Sequence, residues 1–159
     1  MKLRIHGIKN GKHNIELKED VKNIPYIFPE FFGEIKIKGI LTKLNSRFSF
    51  IGNATCNAKL VCDISLEEYI EKITAEISVQ FVANTDLFFL QKQKNANYNE
   101  ELAVHEDDEF FDLTEEISDT LNVSLPMKRL SPNCREKEFG EFFPEYSSNK
   151  LKENLSDDR

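Results

Sequence analysis

The sequence has 159 residues, of which 40% are hydrophobic and 31% are charged, a composition typical of one globular domain. Its net charge of −7 is concentrated in residues 84–125, where eleven acidic residues face two basic ones; this stretch should repel bare nucleic acid, because phosphate binding depends on lysine and arginine. The amino terminus is charged throughout and no apolar run reaches the roughly 18 residues that cross a bilayer, so we expect a cytoplasmic protein without membrane contact.

Two short strands are predicted near the amino terminus and are expected to pair with each other. Residues 2–8 and 13–18 mix apolar and charged side chains, and Asn10-Gly11 between them is typical of a tight hairpin turn. The aromatic run FPEFF follows at residues 28–32. We expect it to pack in the core, with a partner-binding patch as the alternative.

Three longer strands come next and show the clearest period of two. Residues 34–44 begin with strict alternation that blurs at Gly39, which indicates a β-bulge. Residues 47–63 and 72–82 alternate apolar and polar side chains, as strands with one buried face do. Because the connections are short and Asn45-Ser46 suits a tight turn, the three segments are predicted to form an antiparallel meander.

The acidic stretch that follows lacks this periodicity. Residues 87–90 are apolar and favour a prolongation of the preceding strand. The rest of residues 84–111 is mostly polar and acidic, so we expect a partly mobile acidic loop.

One amphipathic helix is predicted over residues 112–125. Asp112 suits its N-cap, and Pro126 ends it. Its apolar residues recur every four positions, at Leu113, Ile117, Leu121 and Leu125.

These elements predict an α+β fold. We expect a curved antiparallel β-sheet, a meander that can approach a barrel, with one short amphipathic helix packed against it. Residues 1–146 should form a single domain, and residues 147–159 a disordered carboxy-terminal tail.

The cysteines do not by themselves indicate a metal or a disulfide bond. Cys56 and Cys62 lie on one face of a predicted strand, about 20 Å apart at a rise of about 3.3 Å per residue, too far for a shared zinc ion or a disulfide bond. We interpret Cys56 as a core residue. Cys62 and Cys134 are left to meet across the fold, but two thiols are a poor zinc site, because structural zinc usually takes four ligands.

No catalytic motif is visible. The chain has three histidines and six glycines, and it lacks a glycine-rich phosphate loop, a nucleophile elbow and a zinc-protease helix. The carboxylates of Glu67-Glu68 and of residues 105–109 are interpreted as solvated side chains, with a magnesium-dependent nuclease as the alternative. We therefore expect no enzymatic activity, no cofactor and no small-molecule substrate.

Two basic clusters are the candidate partner-binding residues. The segment 128–137, stiffened by Pro126 and Pro132, should lose little entropy when it binds, and arginines in it can each hold a phosphate through two hydrogen bonds. Its basic residues are Lys128, Arg129, Arg135 and Lys137. In the second cluster, Lys36 and Lys38 share one face of the predicted sheet. For both, ordinary solubilising charge is the alternative.

Three short motifs occur in a distinctive order. One strand ends in VCDISLEEY, the helix begins with DLTEEI, and SLPMKRLSPNC follows it. This order resembles the YceD family, the large ribosomal RNA subunit accumulation proteins, over roughly residues 41–140. The signature of that family has Cys-x-x-Cys-Leu at the end of the strand and a proline before Cys-x-x-x-Cys.

The resemblance implies a four-thiol metal site in many family members, and this sequence departs from it. After Cys62, Ser65 stands at the second cysteine position, and after Cys134, Glu138 does. Serine is a poor zinc ligand, whereas Glu138 can donate an oxygen to a weak Cys-Cys-Glu site. We treat these four residues as degenerate metal-motif positions and predict that no metal is bound and that packing holds the junction.

The resemblance also implies a function in ribosome assembly. We expect a non-catalytic factor that supports accumulation of large-subunit ribosomal RNA, with the large ribosomal subunit precursor as its partner through RNA, ribosomal protein or both. In this hypothesis segment 128–137 touches the partner and residues 100–112 meet a basic ribosomal protein. The alternative is an acidic holding chaperone for one basic protein, without RNA contact.

Overall fold

The computed structural model describes residues 1–93, 102–137 and 141. The tail that was predicted to be disordered lies outside these residues, so that prediction stays open. Within the chain there are two compact units, each taken by itself below. The larger comprises residues 1–58 and 71–125, and the smaller comprises residues 59–70 and 126–159, as far as they are described.

β-Strands are the main regular elements of the described residues. They are β1 (Lys2–Arg4), β2 (Gly11–Asp20), β3 (Phe31–Leu44), β4 (Arg47–Val61), β5 (Glu68–Ala83), β6 (Leu102–Val104) and β7 (Phe110–Asp112). Five of them form one curved, mostly antiparallel sheet in the order β2-β3-β4-β5-β6, in which β6 runs parallel to β5. The predicted α+β meander is confirmed, and within the described residues the sheet remains open.

The described residues also contain the α-helices α1 (Thr85–Gln93), α2 (Thr114–Val123) and α3 (Pro132–Arg135) and a short 3-10 helix at Val21–Asn23. In the described parts of the chain, no helix has the length and apolar character needed to cross a membrane. Helix α2 is the predicted amphipathic helix, and it buries Ile117 and Leu121. It begins at Thr114, later than expected. Asp112 lies one residue before the N-cap Leu113, and its side chain accepts the N–H of Thr114 at 3.0 Å.

The amino-terminal strand pairs with a distant partner, and the hairpin predicted for residues 2–8 and 13–18 is wrong. β1 pairs antiparallel with β7, with Leu3 opposite Phe111. The side chain of Asn10 instead accepts the N–H of Asn45 at 2.9 Å. β2 pairs with β3 over its whole length, and this long strand pairing outweighs the local turn preference of Asn10-Gly11.

Residues 87–90 belong to helix α1, so the prediction that they prolong a strand is wrong. Oδ1 of Asn84 accepts the N–H of Leu87 at 3.0 Å at the start of the helix, and Asp86 lies in the first turn, where a negative charge is favourable. Short apolar runs do not distinguish a helix from a strand. Within the predicted acidic loop, α1, β6 and most of β7 are regular elements, and residues 94–101 lie outside the described residues.

A stack of three phenylalanines lies in the core of the larger unit. The ring of Phe81 lies between those of Phe48 and Phe111, at centroid distances of 4.9 and 4.1 Å. This stack connects β4, β5 and β7, and such aromatic pairs stabilise a fold beyond the effect of their buried area. Within the FPEFF run, Phe31 is buried as predicted, whereas Phe28 and Phe32 are 47% and 39% exposed.

Gly39 allows two backbones to approach closely, and the bulge predicted there is wrong. Gly39 lies directly opposite Gly52 in an unbroken register, and the register shifts between Phe32 and Lys36 instead. A Cβ atom on Gly39 would lie 2.5 Å from the carbonyl oxygen of Ile51 and 2.7 Å from Cα of Gly52. Both distances are too short for non-bonded atoms, so β3 and β4 can lie this close together only where neither residue has a side chain.

We predict that Gly39→Ala lowers the free energy of unfolding by about 2 kcal/mol, because the added methyl group would overlap with the backbone of β4. Urea denaturation would measure this as a lower midpoint at an unchanged slope. Asn53→Ala, an exposed change in β4 beside Gly52, is the control and should stay within about 0.5 kcal/mol. If both variants have the same midpoint, the close approach does not limit this position.

Candidate functional site

The smaller unit joins two halves of the degenerate metal motif through a reciprocal pair of hydrogen bonds. The N–H of Asp63 donates to the carbonyl of Arg129, and the N–H of Arg129 donates to Oδ2 of Asp63, both at 2.7 Å. The second bond ends on a carboxylate and is stronger than one between neutral groups. Together they tie the turn after β4 to the segment before α3.

The turn after β4 also closes on itself. The N–H of Cys62 donates to the carbonyl of Glu67 at 2.9 Å, and the N–H of Leu66 donates to the carbonyl of Cys62 at 3.0 Å. Leu66 has a φ of 61° and is 75% exposed. A left-handed leucine is unfavourable by itself, so the hydrogen bonds of the turn must hold it in place.

The Cys62 thiol is fully buried and accepts several hydrogen bonds. Burial raises the pKa of this thiol, but hydrogen bonds from the main chain of Ser131, from the hydroxyl and main chain of Ser65 and from the main chain of Ile64 outweigh it and lower the pKa to about 5. Hydrogen bonds to a charged form favour that form. The lowered pKa of Cys62 favours the thiolate, the form in which cysteine binds metals.

The donors around Cys62 nevertheless do not fit tetrahedral zinc. Cys134 is buried, the hydroxyl of Ser65 already takes part in hydrogen bonds, and the hydroxyl of Ser131 is buried without a partner. Among the described residues, no three His, Cys, Asp or Glu side chains are grouped as metal ligands, and Glu138 lies outside them. Structural zinc takes four ligands, usually cysteine or histidine, and two thiols with hydroxyls do not supply them.

Cys56 is a core residue of the larger unit. It is 3% exposed, and burial raises the pKa of its thiol, which donates to the main-chain carbonyls of Phe32 and Asn57, both at 3.6 Å. β4 is extended from Arg47 to Val61, as the alternation predicted. All three cysteines are free thiols.

The basic segment 128–137 belongs to the smaller unit, and its arginines have contacts there. Nε of Arg135 donates to a main-chain carbonyl of the segment at 3.0 Å, and the guanidinium lies 6.0 Å from the ring centroid of Tyr69. Arg129 contributes its main chain to the reciprocal pair. Lys128 and Lys137 are exposed. A phosphate bound by Arg135 would have to compete with these internal contacts.

Lys36 and Lys38 belong to the larger unit and lie on the outward face of β3. Each is near one carboxylate, Lys36 with Glu34 at 3.8 Å and Lys38 with Glu16 at 3.6 Å. Such exposed ion pairs contribute little to stability, so they leave both lysines able to contact a partner. The two predicted basic clusters therefore lie in different units.

The larger unit also carries an acidic groove that the sequence did not reveal. Its volume is about 490 Å³, and it is lined by Pro25, Tyr26, Asp112, Thr114, Glu115, Ser118 and Asp119. The side chain of Asn122 holds one wall, because it donates to the carbonyl of Tyr26 and accepts the N–H of Phe28, both at 2.9 Å. These partners are far apart in the sequence, so no local pattern indicates the groove.

The carboxylates at the groove differ in their tendency to ionise. Burial raises the pKa of Asp112, but hydrogen bonds from Thr114 and the amino-terminal ammonium of Met1, 3.5 Å away, outweigh it and lower the pKa. Glu116 of helix α2, which is not among the residues that line the groove, shows the opposite result. Burial raises its pKa, its own main-chain N–H lowers it, and the charges of Glu115, Asp112 and Asp119 raise it further.

We predict that Glu116→Gln stabilises the protein at pH 7. A carboxyl whose pKa is raised by folding contributes stability below its unfolded pKa, and this is lost as the pH rises through the folded pKa. Removing the charge at neutral pH relieves like-charge pairs with Asp112 and Asp119 and should raise the free energy of unfolding by about 0.5–1 kcal/mol.

Urea denaturation at two pH values checks this prediction. The gain should disappear below about pH 4, where Glu116 is protonated in both states. Glu115→Gln is the control: Glu115 is exposed in the first turn of α2, where its charge favours the helix, so it should give no gain. A gain of the same size at pH 4 would contradict the electrostatic explanation.

We predict that Asp63→Asn loosens the smaller unit, because a neutral amide replaces the carboxylate that accepts the N–H of Arg129. The loss should be about 1–2 kcal/mol, seen in urea denaturation and in faster hydrogen exchange at Arg129. In the control Glu68→Gln, the lost partner is Lys59 at 2.7 Å with both side chains more than half exposed, so the change should stay within about 0.5 kcal/mol. Equal effects would rule out a special role for Asp63.

Comparison with known proteins identifies the family. A family model described as "Large ribosomal RNA subunit accumulation protein YceD" matches residues 50–154. No curated protein and no solved structure matches the chain. The matched region covers about two thirds of the sequence and includes both halves of the motif around Cys62 and Cys134. The chain therefore belongs to the YceD family.

Proposed function

We propose that this protein is a non-catalytic assembly factor that supports accumulation of large-subunit ribosomal RNA by contact with the precursor of the large ribosomal subunit. The observation that carries the proposal is the family match over residues 50–154. The description of the family names the RNA whose accumulation is affected, and a factor that binds its precursor is the most direct way to protect it. The proposed location is the cytoplasm.

The surfaces of the larger unit support contact as the mode of action. Lys36 and Lys38 offer exposed positive charge on a sheet face, which suits RNA phosphates. The acidic groove at α2 suits a basic protein segment by charge complementarity. A ribosomal precursor carries both kinds of partner.

The acidic groove also favours a second candidate function, that of a holding chaperone for one basic protein without RNA contact. Within residues 84–93 and 102–125, nine carboxylates accompany one lysine. Such a surface attracts basic proteins over long range and repels RNA. Under this alternative the lysines on the sheet only keep the protein in solution.

We predict that the protein co-sediments with large-subunit precursors on sucrose gradients and that the association weakens as salt rises, because the contacts are charged. Ribonuclease treatment of the fractions separates the two candidates: an RNA-dependent complex falls apart, and a complex with protein alone survives. Depletion of the protein should lower mature large-subunit RNA relative to small-subunit RNA. A protein found only at the top of the gradient at low salt, with unchanged RNA ratios on depletion, would contradict the proposal.

A further inference from the structure

A row of lysines crosses the outward face of the sheet in the larger unit. Lys18 of β2 and Lys36 of β3 are direct cross-strand partners, and both side chains are exposed. Like charges directly opposite each other destabilise a sheet. The pair is therefore unfavourable in the free protein, and an anion bound between the two strands would relieve the repulsion.

The row continues into a small cavity on the same face. The cavity has a volume of about 200 Å³ and is lined by Glu34, Lys36, Thr55, Cys56, Asn57 and Lys72. Thr55 lies opposite Lys36 in the register, and its hydroxyl donates to the carbonyl of Lys36 at 3.4 Å. The hydroxyl of Thr55 thus already donates its one hydrogen, and the ammonium groups of Lys36 and Lys72 and the amide of Asn57 are the donor groups that can bind an oxyanion.

The size of the cavity limits what it can hold. It is smaller than the roughly 300–1,000 Å³ of typical pockets for drug-sized ligands, so it suits a phosphate group better than a nucleobase with its sugar. The row spans three strand spacings from β2 to β5, on the order of 15 Å at about 4.8 Å each. This length reaches more than one phosphate of a nucleic-acid strand.

Glu34 is the carboxylate that lines this cavity. It lies 3.8 Å from Lys36, and both side chains are about half exposed. An exposed pair at this distance is weak, so a phosphate group can replace the carboxylate as the partner of Lys36. The carboxylate of Glu34 and a bound phosphate would therefore compete for the ammonium group of Lys36.

We propose that the lysine row, formed by Lys18, Lys36 and Lys72 with Thr55 and Asn57, is a binding surface for the phosphate backbone of RNA. The inference rests on the proposed function and names the surface that contacts the ribosomal RNA. It gives the lysines of the sheet precedence over segment 128–137, because Arg135 in that segment has internal contacts with a main-chain carbonyl and with Tyr69. Recognition through phosphates positions the RNA without reading its sequence.

Binding of large-subunit ribosomal RNA, transcribed in vitro, to the full-length protein tests the inference at several salt concentrations. The double variant Lys36→Gln/Lys72→Gln should weaken binding at least tenfold and reduce the slope of log K against log salt by about 1.8, since each phosphate contact contributes about 0.9. Glu34→Gln should strengthen binding severalfold. Because these side chains are exposed, circular dichroism should be unchanged.

The matched control is Lys9→Gln/Lys22→Gln, which makes the same charge change at exposed positions of the larger unit outside the row. It should stay within twofold of the wild type. Equal weakening by the two double variants, or weakening only by Lys128→Gln/Lys137→Gln, would overturn the inference.

The outcome is distinguishable from failure of the proposed function. If the wild type co-sediments with large-subunit precursors through a ribonuclease-resistant complex and does not bind RNA by itself, the lysine row is wrong and the assembly function stands. If the row binds RNA in vitro as described and the protein neither co-sediments with precursors nor affects RNA ratios, the function is wrong and the binding surface stands.

Discussion

The close approach of β3 and β4 at Gly39 and Gly52 is the constraint on which the larger unit depends. It fixes the register of two long strands, because a side chain at either glycine would meet the opposite backbone. Register decides which residues face the core, since a slip by one residue exchanges the two faces. With this register, Ile37 and Leu41 are buried, and Lys36 and Lys38 point outward on the same strand. The register of β3 and β4 thus determines both the buried face and the basic face of β3.

In the smaller unit, hydrogen bonds link the two segments that carry the halves of the degenerate metal motif. The thiol of Cys62 receives main-chain donors from Ile64 and Ser65 in its own turn and from Ser131 across the unit. The pair between Asp63 and Arg129 adds two short bonds between the same segments. The sequence predicted that the junction would be held by packing. Cys62 and Cys134 are buried, and directed polar contacts also link the two segments.

The sequence predicted what depends on local pattern. The period of two in residues 47–63 and the four-residue spacing from Leu113 to Leu121 are local, and both gave the right element. The pairing of β1 with β7 depends on a buried contact between Leu3 and Phe111, which are distant in the sequence, so Asn10-Gly11 was misread as a hairpin. The candidate site shows the same division, because alternation placed Lys36 on the outward face but gave no indication of its cross-strand neighbour Lys18 or of the groove beside Asn122.

The distribution of charge within the larger unit gives an orientation to any complex with RNA and protein. The acidic groove is lined by Asp112, Glu115 and Asp119, and the lysine row lies on the sheet. Under the proposed function, phosphates would be repelled at the groove and attracted by the ammonium groups of the row, so the field of the protein would favour the sheet for RNA before contact is made. A basic protein segment would be attracted to the acidic groove. A modest net charge of −7 therefore hides two surfaces of opposite charge, and under the proposed function each of them would attract a different component of the ribosomal precursor.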